Sequence, residues 1–153
     1  MAGRLSSVER VTPQTLLSAT LTVQTNGQGF TDISRDVTAF LRDGNAGHGM
    51  LTVFLRHTSA SLTIQENADP DVQTDLLTAL GGLAPESTGW VHDTEGPDDM
   101  PAHIKAMLTG VSLSIPVKDS KPLLGTWQGI YLIEHRRAPH TREIVLQFIG
   151  STR

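Results

Sequence analysis

The chain has no cysteine, which excludes disulfides, thiolate metal sites and cysteine nucleophiles at once, so any metal must be held by histidine and carboxylate. No apolar run approaches the roughly 18 residues a spanning helix needs. The opening Met1-Ala2-Gly3-Arg4-Leu5-Ser6-Ser7 lacks the apolar stretch of a secretory leader. A soluble, cytoplasmic protein with no membrane partner is expected. Nor is there a basic excess: 12 Lys and Arg stand against 16 Asp and Glu, a formal net charge of −4. Affinity for a phosphate backbone comes from clustered basic side chains, so nucleic acid is not an expected partner. Internal repeats, heptads and low-complexity tracts are absent as well. What remains is 153 residues with 38% hydrophobic content, enough for one domain's core and too little for two, so residues 1–153 read as a single domain.

The local patterns mix the two periods. Leu16 to Thr25 is strand-like and runs into the turn signal Asn26-Gly27. From Thr31 the period becomes helical, with Ile33, Val37, Phe40 and Leu41 on one face, Thr31 or Asp32 as cap, and Gly44 at the end. Met50–His57 and Ser61–Gln65 are strand-like, separated by the small polar group Thr58-Ser59-Ala60. Asp69-Pro70 opens a second helix that presents Val72, Leu76, Leu77 and Leu80 and stops at Gly81-Gly82. Pro85–Asp99 is almost free of apolar residues and long for a bare connection, which points to a functional surface loop. Met100-Pro101 begins a third short helix, with Ile104, Met107 and Leu108 expected inward and Gly110 closing it. Three further strands follow, at Val111–Val117, Gly129–Glu134 and Arg142–Ile149. Several strands and three short helices without regular alternation predict an α+β fold on a largely antiparallel sheet or sandwich.

Four of the six histidines, His57, His92, His103 and His135, fall at strand ends, in the polar loop or on the helix after it, while His48 and His140 sit in turn-like stretches. No H-E-x-x-H or other local metal motif is present, so a lone histidine here is more simply a capping or surface residue. Their neighbours sharpen the reading. His103 follows Asp99 by four residues, one turn of helix, and His92 precedes Asp93. Asp99 and His103 are therefore the foremost catalytic pair, with His57 beside them, and His57, His92, His103 and His135 are the candidate ligands of a divalent metal, magnesium or zinc. Glu95 and Asp98 flank a Gly96-Pro97 turn, and paired carboxylates hold magnesium bound to phosphates. Asp69 is a helix cap, whereas Glu66 and Asn67 are not needed for capping and are candidates to touch a ligand. In Gly125-Thr126-Trp127-Gln128-Gly129, Trp127 can stack on a flat ring and Gln128 can read its edge, or the Trp can simply pack at a bend. Ser59 and Arg136 complete the candidate substrate contacts.

Three segments together closely resemble the YjbQ-type family, described as secondary thiamine-phosphate synthase enzymes. They are His57-Thr58-Ser59-Ala60-Ser61-Leu62-Thr63 with Glu66-Asn67 and Asp69-Pro70; His92-Asp93 and Glu95 through Lys105; and Gly125 through Ile130 with Glu134-His135-Arg136. The likeness keeps its order from about Leu51 to Gly150. It implies a small α+β homotrimer with sites near subunit boundaries. It also implies a weak transferase activity that joins a pyrimidine methyl diphosphate to a thiazole phosphate with loss of pyrophosphate, so small phosphorylated heterocycles are the expected partners. The same site residues would also serve a trimeric metabolite- or metal-binding protein without turnover, or a metal-dependent hydrolase. Two positions depart from the family pattern: Ala68 stands where Cys is frequent, and Ser120 where a turn commonly has Gly.

Overall fold

Phe148, Leu146, Ile144 and Arg142 point inward on alternate positions of one long strand, and that period of two builds most of the molecule. A computed structural model describes residues 2–153. Its strands are β1 (Thr15–Thr25), β2 (Gly29–Asp32), β3 (Ala46–Leu55), β4 (Ala60–Glu66), β5 (Ser112–Lys118), β6 (Lys121–Pro122), β7 (Gln128–Glu134) and β8 (His140–Thr152). Its helices are α1 (Ser34–Asp43), α2 (Pro70–Leu83) and α3 (Asp99–Thr109). One antiparallel sheet has the order β1-β8-β3-β5-β6 and a second has β2-β7-β4. Between them lie Leu51, Val53, Leu55, Ile144, Leu146 and Phe148 from the first and Leu62, Ile130 and Leu132 from the second, with Val37 and Leu41 of α1. The fold is α+β, as the patterns predict. No helix among the described residues is long and apolar enough to cross a membrane.

Several boundaries differ from expectation, each for a local reason. Thr31 and Asp32 belong to β2, because the short run Gly29–Asp32 pairs with β7 and sets Phe30 edge-on to Tyr131. The Asp32 carboxylate still accepts the Ser34 N–H at 2.8 Å, just ahead of α1. The second helix starts as predicted, the Asp69 carboxylate accepting the Asp71 N–H at 2.9 Å, but it passes through Gly81-Gly82 to Leu83. His48 lies within β3 and His140 opens β8, so neither is a turn residue. Ser120 does fill a glycine-like turn, at φ +62°, and its hydroxyl donates to the Ala46 carbonyl at 2.6 Å.

The third helix faces the other way from the prediction. Asp99, Pro101, Ala102, Lys105 and Ala106 are buried, while Met107 is 79% and Leu108 56% exposed. The small side chains of Ala102 and Ala106 let the helix approach β4 closely, and the ties of Asp99 described below pin the same face inward.

What places the functional residues is the pairing of β4 with β7. They run antiparallel, so Ala60 lies opposite Glu134 at one end and Glu66 opposite Gln128 at the other. At a rise of about 3.3 Å per residue those ends are ~20 Å apart.

Candidate functional site

Asp98 and Asp99 follow the left-handed turn at Gly96 (φ +103°), which aims both carboxylates at the chain leaving β7. There Arg136 holds them: its Nη1 donates to Asp99 Oδ1 at 2.6 Å, its Nε to Asp98 Oδ2 at 3.1 Å and its Nη2 to the Glu95 carbonyl at 2.9 Å. Asp98 also accepts the Arg137 N–H at 2.9 Å. The second oxygen of Asp99 faces His92 Nε2 at 2.7 Å and His103 Nε2 at 3.1 Å. The Asp99 side chain is 3% exposed and those of His92 and His103 are 42% and 32% exposed, so a buried carboxylate carries an imidazole rim open to solvent. One potential ligand atom from each of the three lies within 4.8 Å of the others, the one such group among the described residues. Burial by itself would raise the Asp99 carboxyl, but the His92 hydrogen bond and the charges of His103 and Arg136 outweigh it and hold it below the usual range. Asp98 is lowered in the same way, against burial, by the Arg137 N–H and by Arg136.

The geometry of His103 constrains what the group can do. Its Nδ1 lies 2.9 Å from the Thr58 carbonyl, an acceptor with no proton to give, so Nδ1 is the donor. Its Nε2 then meets Asp99 Oδ2, another acceptor. Either the ring carries both protons as an imidazolium, or the Nε2 lone pair and the carboxylate face a cation together. A backbone carbonyl that fixes the tautomer and aims Nε2 is how ligating imidazoles are commonly held. The donor set of two nitrogens and one carboxylate suits zinc and related transition metals better than magnesium, which prefers an all-oxygen shell.

Behind this group lies a second buried ion pair. Glu134 is 1% exposed and accepts from Arg142 Nε at 2.7 Å and Nη2 at 2.5 Å, from Thr25 Oγ1 at 2.7 Å and from the Arg136 N–H at 3.0 Å. Burial pushes its carboxyl up, and Arg142, Thr25 and the Arg136 N–H more than reverse that. One carboxylate thus fixes the strand end from which Arg136 reaches Asp98 and Asp99. Local pattern reading does not find this pairing, because Arg142 and Glu134 meet across β7 and β8.

The other expected residues divide. His92, Asp99 and His103 come together, with Arg136 bound to Asp99, although its guanidinium is occupied within the protein. His57 lies outside the group: its Nε2 accepts the Glu143 N–H at 2.8 Å. His135 also lies outside, buried with Nε2 2.8 Å from Ser61 Oγ and with Nδ1 lacking a partner among the described residues. Burial, with the nearby charge of Lys105, takes His135 down to about 4. Ser59 is buried and its hydroxyl accepts from Arg142 at 3.0 Å. Of the expected Glu95 and Asp98 pair, the Asp98 carboxylate accepts from Arg136 and from the Arg137 N–H.

Glu66, Asn67, Trp127 and Gln128 gather at the far end of β4 and β7. Asn67 Nδ2 donates to the Thr126 and Gln128 carbonyls, each at 3.3 Å. Glu66 accepts the Asp69 N–H at 3.2 Å and Gln128 the Gly125 N–H at 2.8 Å. These side chains bind the backbone of their own turns, and Trp127 stands 65% exposed beside them.

Residues 19–151 match the family model described as UPF0047 protein YjbQ-like. The UPF0047 protein of Synechocystis sp. is 47% identical over 131 residues, 85% of this chain and 89% of that protein. The UPF0047 protein YjbQ of Salmonella typhimurium is 42% identical over 132 residues, 86% of this chain and 96% of that protein. Among solved structures, a conserved hypothetical protein of Thermus thermophilus is 37% identical with a TM-score of 0.75, covering 84% of this chain and 97% of that one.

Proposed function

The chain belongs to the YjbQ-like UPF0047 family, and on that premise we propose that it is a metal-assisted transferase of small phosphorylated heterocycles with weak thiamine-phosphate synthase activity. The observation that carries this reading is the His103 ring, donating through Nδ1 to Thr58 while its Nε2 and that of His92 converge on one buried carboxylate oxygen. His92, Asp99 and His103 would hold a divalent cation, which when bound supplies positive charge against a departing diphosphate. In the proposed reaction the bond from the pyrimidine methylene carbon to the diphosphate oxygen breaks, and pyrophosphate leaves with the electron pair. The thiazole nitrogen lone pair forms the new carbon–nitrogen bond, so no proton need move. Arg136 acts through Asp99, keeping it ionised and oriented. The working form is a homotrimer, for which the resemblance is the support; sedimentation of a monomer at micromolar concentration would contradict it.

The test is a product assay with the two precursors, run beside metal analysis of the purified protein. Thiamine phosphate should form with bound zinc or another divalent ion, and chelation should abolish it. Absence of product with the metal site filled would overturn the reading.

A further inference from the structure

Beside His103, a groove of about 410 Å³ is lined by His57, Thr58, His103, Ala106, Met107, Gly110 and Val111. That volume lies in the range of small-molecule sites. Its walls carry no Asp, Glu, Lys or Arg, so they offer nothing to a charged group and suit a neutral, flat one. The polar residues of the lining are His57, Thr58 and His103. His57 Nε2 already accepts the Glu143 N–H at 2.8 Å, so in the neutral ring the proton sits on Nδ1, which makes no hydrogen bond among the described residues.

From this the geometry points to a binding site for the uncharged heteroaromatic ring of a substrate, packed on Ala106, Met107 and Val111 and read by an Nδ1–H donated from His57 to a ring nitrogen. His57 is then a substrate-reading donor, neither a base nor a metal ligand. Its environment agrees, since burial and the Arg142 charge lower its pKa and disfavour the protonated ring. The inference rests on the transferase reading for one point only, the identity of the ring. A cation held by His92, Asp99 and His103 would take the charged leaving group while the groove takes the ring, so one ligand would span both.

Two isosteres separate reading from scaffolding. His57→Asn keeps a donor where Nδ1 stands and loses the acceptor for Glu143; His57→Gln keeps an acceptor for Glu143 and loses the donor to the groove. Binding of hydroxymethylpyrimidine, the uncharged alcohol of the proposed first substrate, would be followed by ligand-detected NMR titration. His57→Asn should stay within about threefold of the unsubstituted protein. His57→Gln should weaken binding about tenfold, the worth of one good neutral hydrogen bond. Met107→Glu, at a position 79% exposed in the chain, should weaken it similarly by placing a charge on the wall.

The reverse order of the two His57 variants, or an unchanged Met107→Glu, overturns the site. A parallel titration with pyrophosphate and zinc keeps the two readings distinguishable. If pyrophosphate binds and the alcohol does not, the groove is wrong and the transferase stands; if the alcohol binds but pyrophosphate does not and no product forms, the transferase is wrong and the groove stands.

Discussion

The two ends of the β4–β7 pair are made of the same strands and collect similar residue types, yet they do opposite things. At one end Glu134, Arg142, Asp99 and Arg136 are largely withdrawn from water and satisfy one another across four elements. At the other, Glu66, Asn67 and Gln128 are exposed or half-exposed and hold the backbone of their own loops. A carboxylate or amide near a strand end is therefore no evidence of a site by itself. The first end is distinguished by charge kept under low exposure, and by two partly exposed imidazoles whose Nε2 atoms meet one buried carboxylate oxygen.

That contrast makes Glu134 the most sensitive residue. Glu134→Ala leaves Arg142 buried and uncompensated, which should cost about 3–5 kcal/mol in urea denaturation. Replacing both partners, Glu134→Leu with Arg142→Met, should recover most of the loss. A single-variant cost under about 1 kcal/mol would mean the buried end is no more structural than the exposed one.

His135 comes next, and it predicts the pH dependence. Its native value is about 4 against 6.5 for the ordinary imidazole, so between those values the unfolded chain binds more protons than the native one. Stability therefore rises with pH through that window: the contribution is fully present above pH 6.5 and is lost as pH falls toward 4, by about 3 kcal/mol. His57, also lowered, adds in the same direction. The lowered carboxylates Asp98, Asp99 and Glu134 keep their contributions above the ordinary carboxylate range and lose them as pH falls through it toward their lowered values. His135→Gln, measured by urea midpoints between pH 7 and pH 4.5, should flatten the slope; an unchanged slope would show that His135 does not titrate there.

Asp99→Asn tests the outward-facing part of the buried end. The carboxylate is not a helix cap, since neither it nor Asp98 makes a side-chain cap bond to α3, and its oxygens go to Arg136, His92 and His103. Asn removes the charge, and zinc affinity measured by competition with a chelator should fall by roughly 10- to 100-fold, about what loss of even an outer-shell partner costs. Unchanged affinity would remove Asp99 from the metal group.

Much of the buried end was legible because its parts are local. Asp99 and His103 are one helical turn apart, a spacing that places them on one face whatever the fold, and His92 lies in a loop already marked by its composition. The Asp69-Pro70 helix start and the Val37 and Leu41 face of α1 are local too, and the structure has both. The orientation of α3 was not legible, because its apolar stripe Met107 and Leu108 argued inward while Arg136, just after β7, held Asp99 on the opposite side down. The separation of Trp127 from His103 was also hidden. Both belong to the segments that carry the family resemblance, but which end of a strand a residue occupies is decided by pairing direction and register, neither of which is written in the segment itself.

The smallest expected effect is at the exposed end, and it is the one that decides whether the two ends work apart. Trp127 is 65% exposed and its neighbours bind their own backbone, so Trp127→Ala should change stability by no more than about 0.5 kcal/mol, as surface substitutions usually do. Within one chain the ~20 Å between the strand ends keeps its indole from the His92, Asp99 and His103 group, so zinc affinity should also be unchanged. The same titrations used for Asp99→Asn measure this. A fall in metal or pyrophosphate affinity, with stability intact, would mean that the indole reaches the histidine end of another copy in the assembled protein. The contrast between the ends would then hold for the single chain and fail for the oligomer, and sedimentation of the variant beside the unsubstituted protein would show whether the assembly itself had been lost.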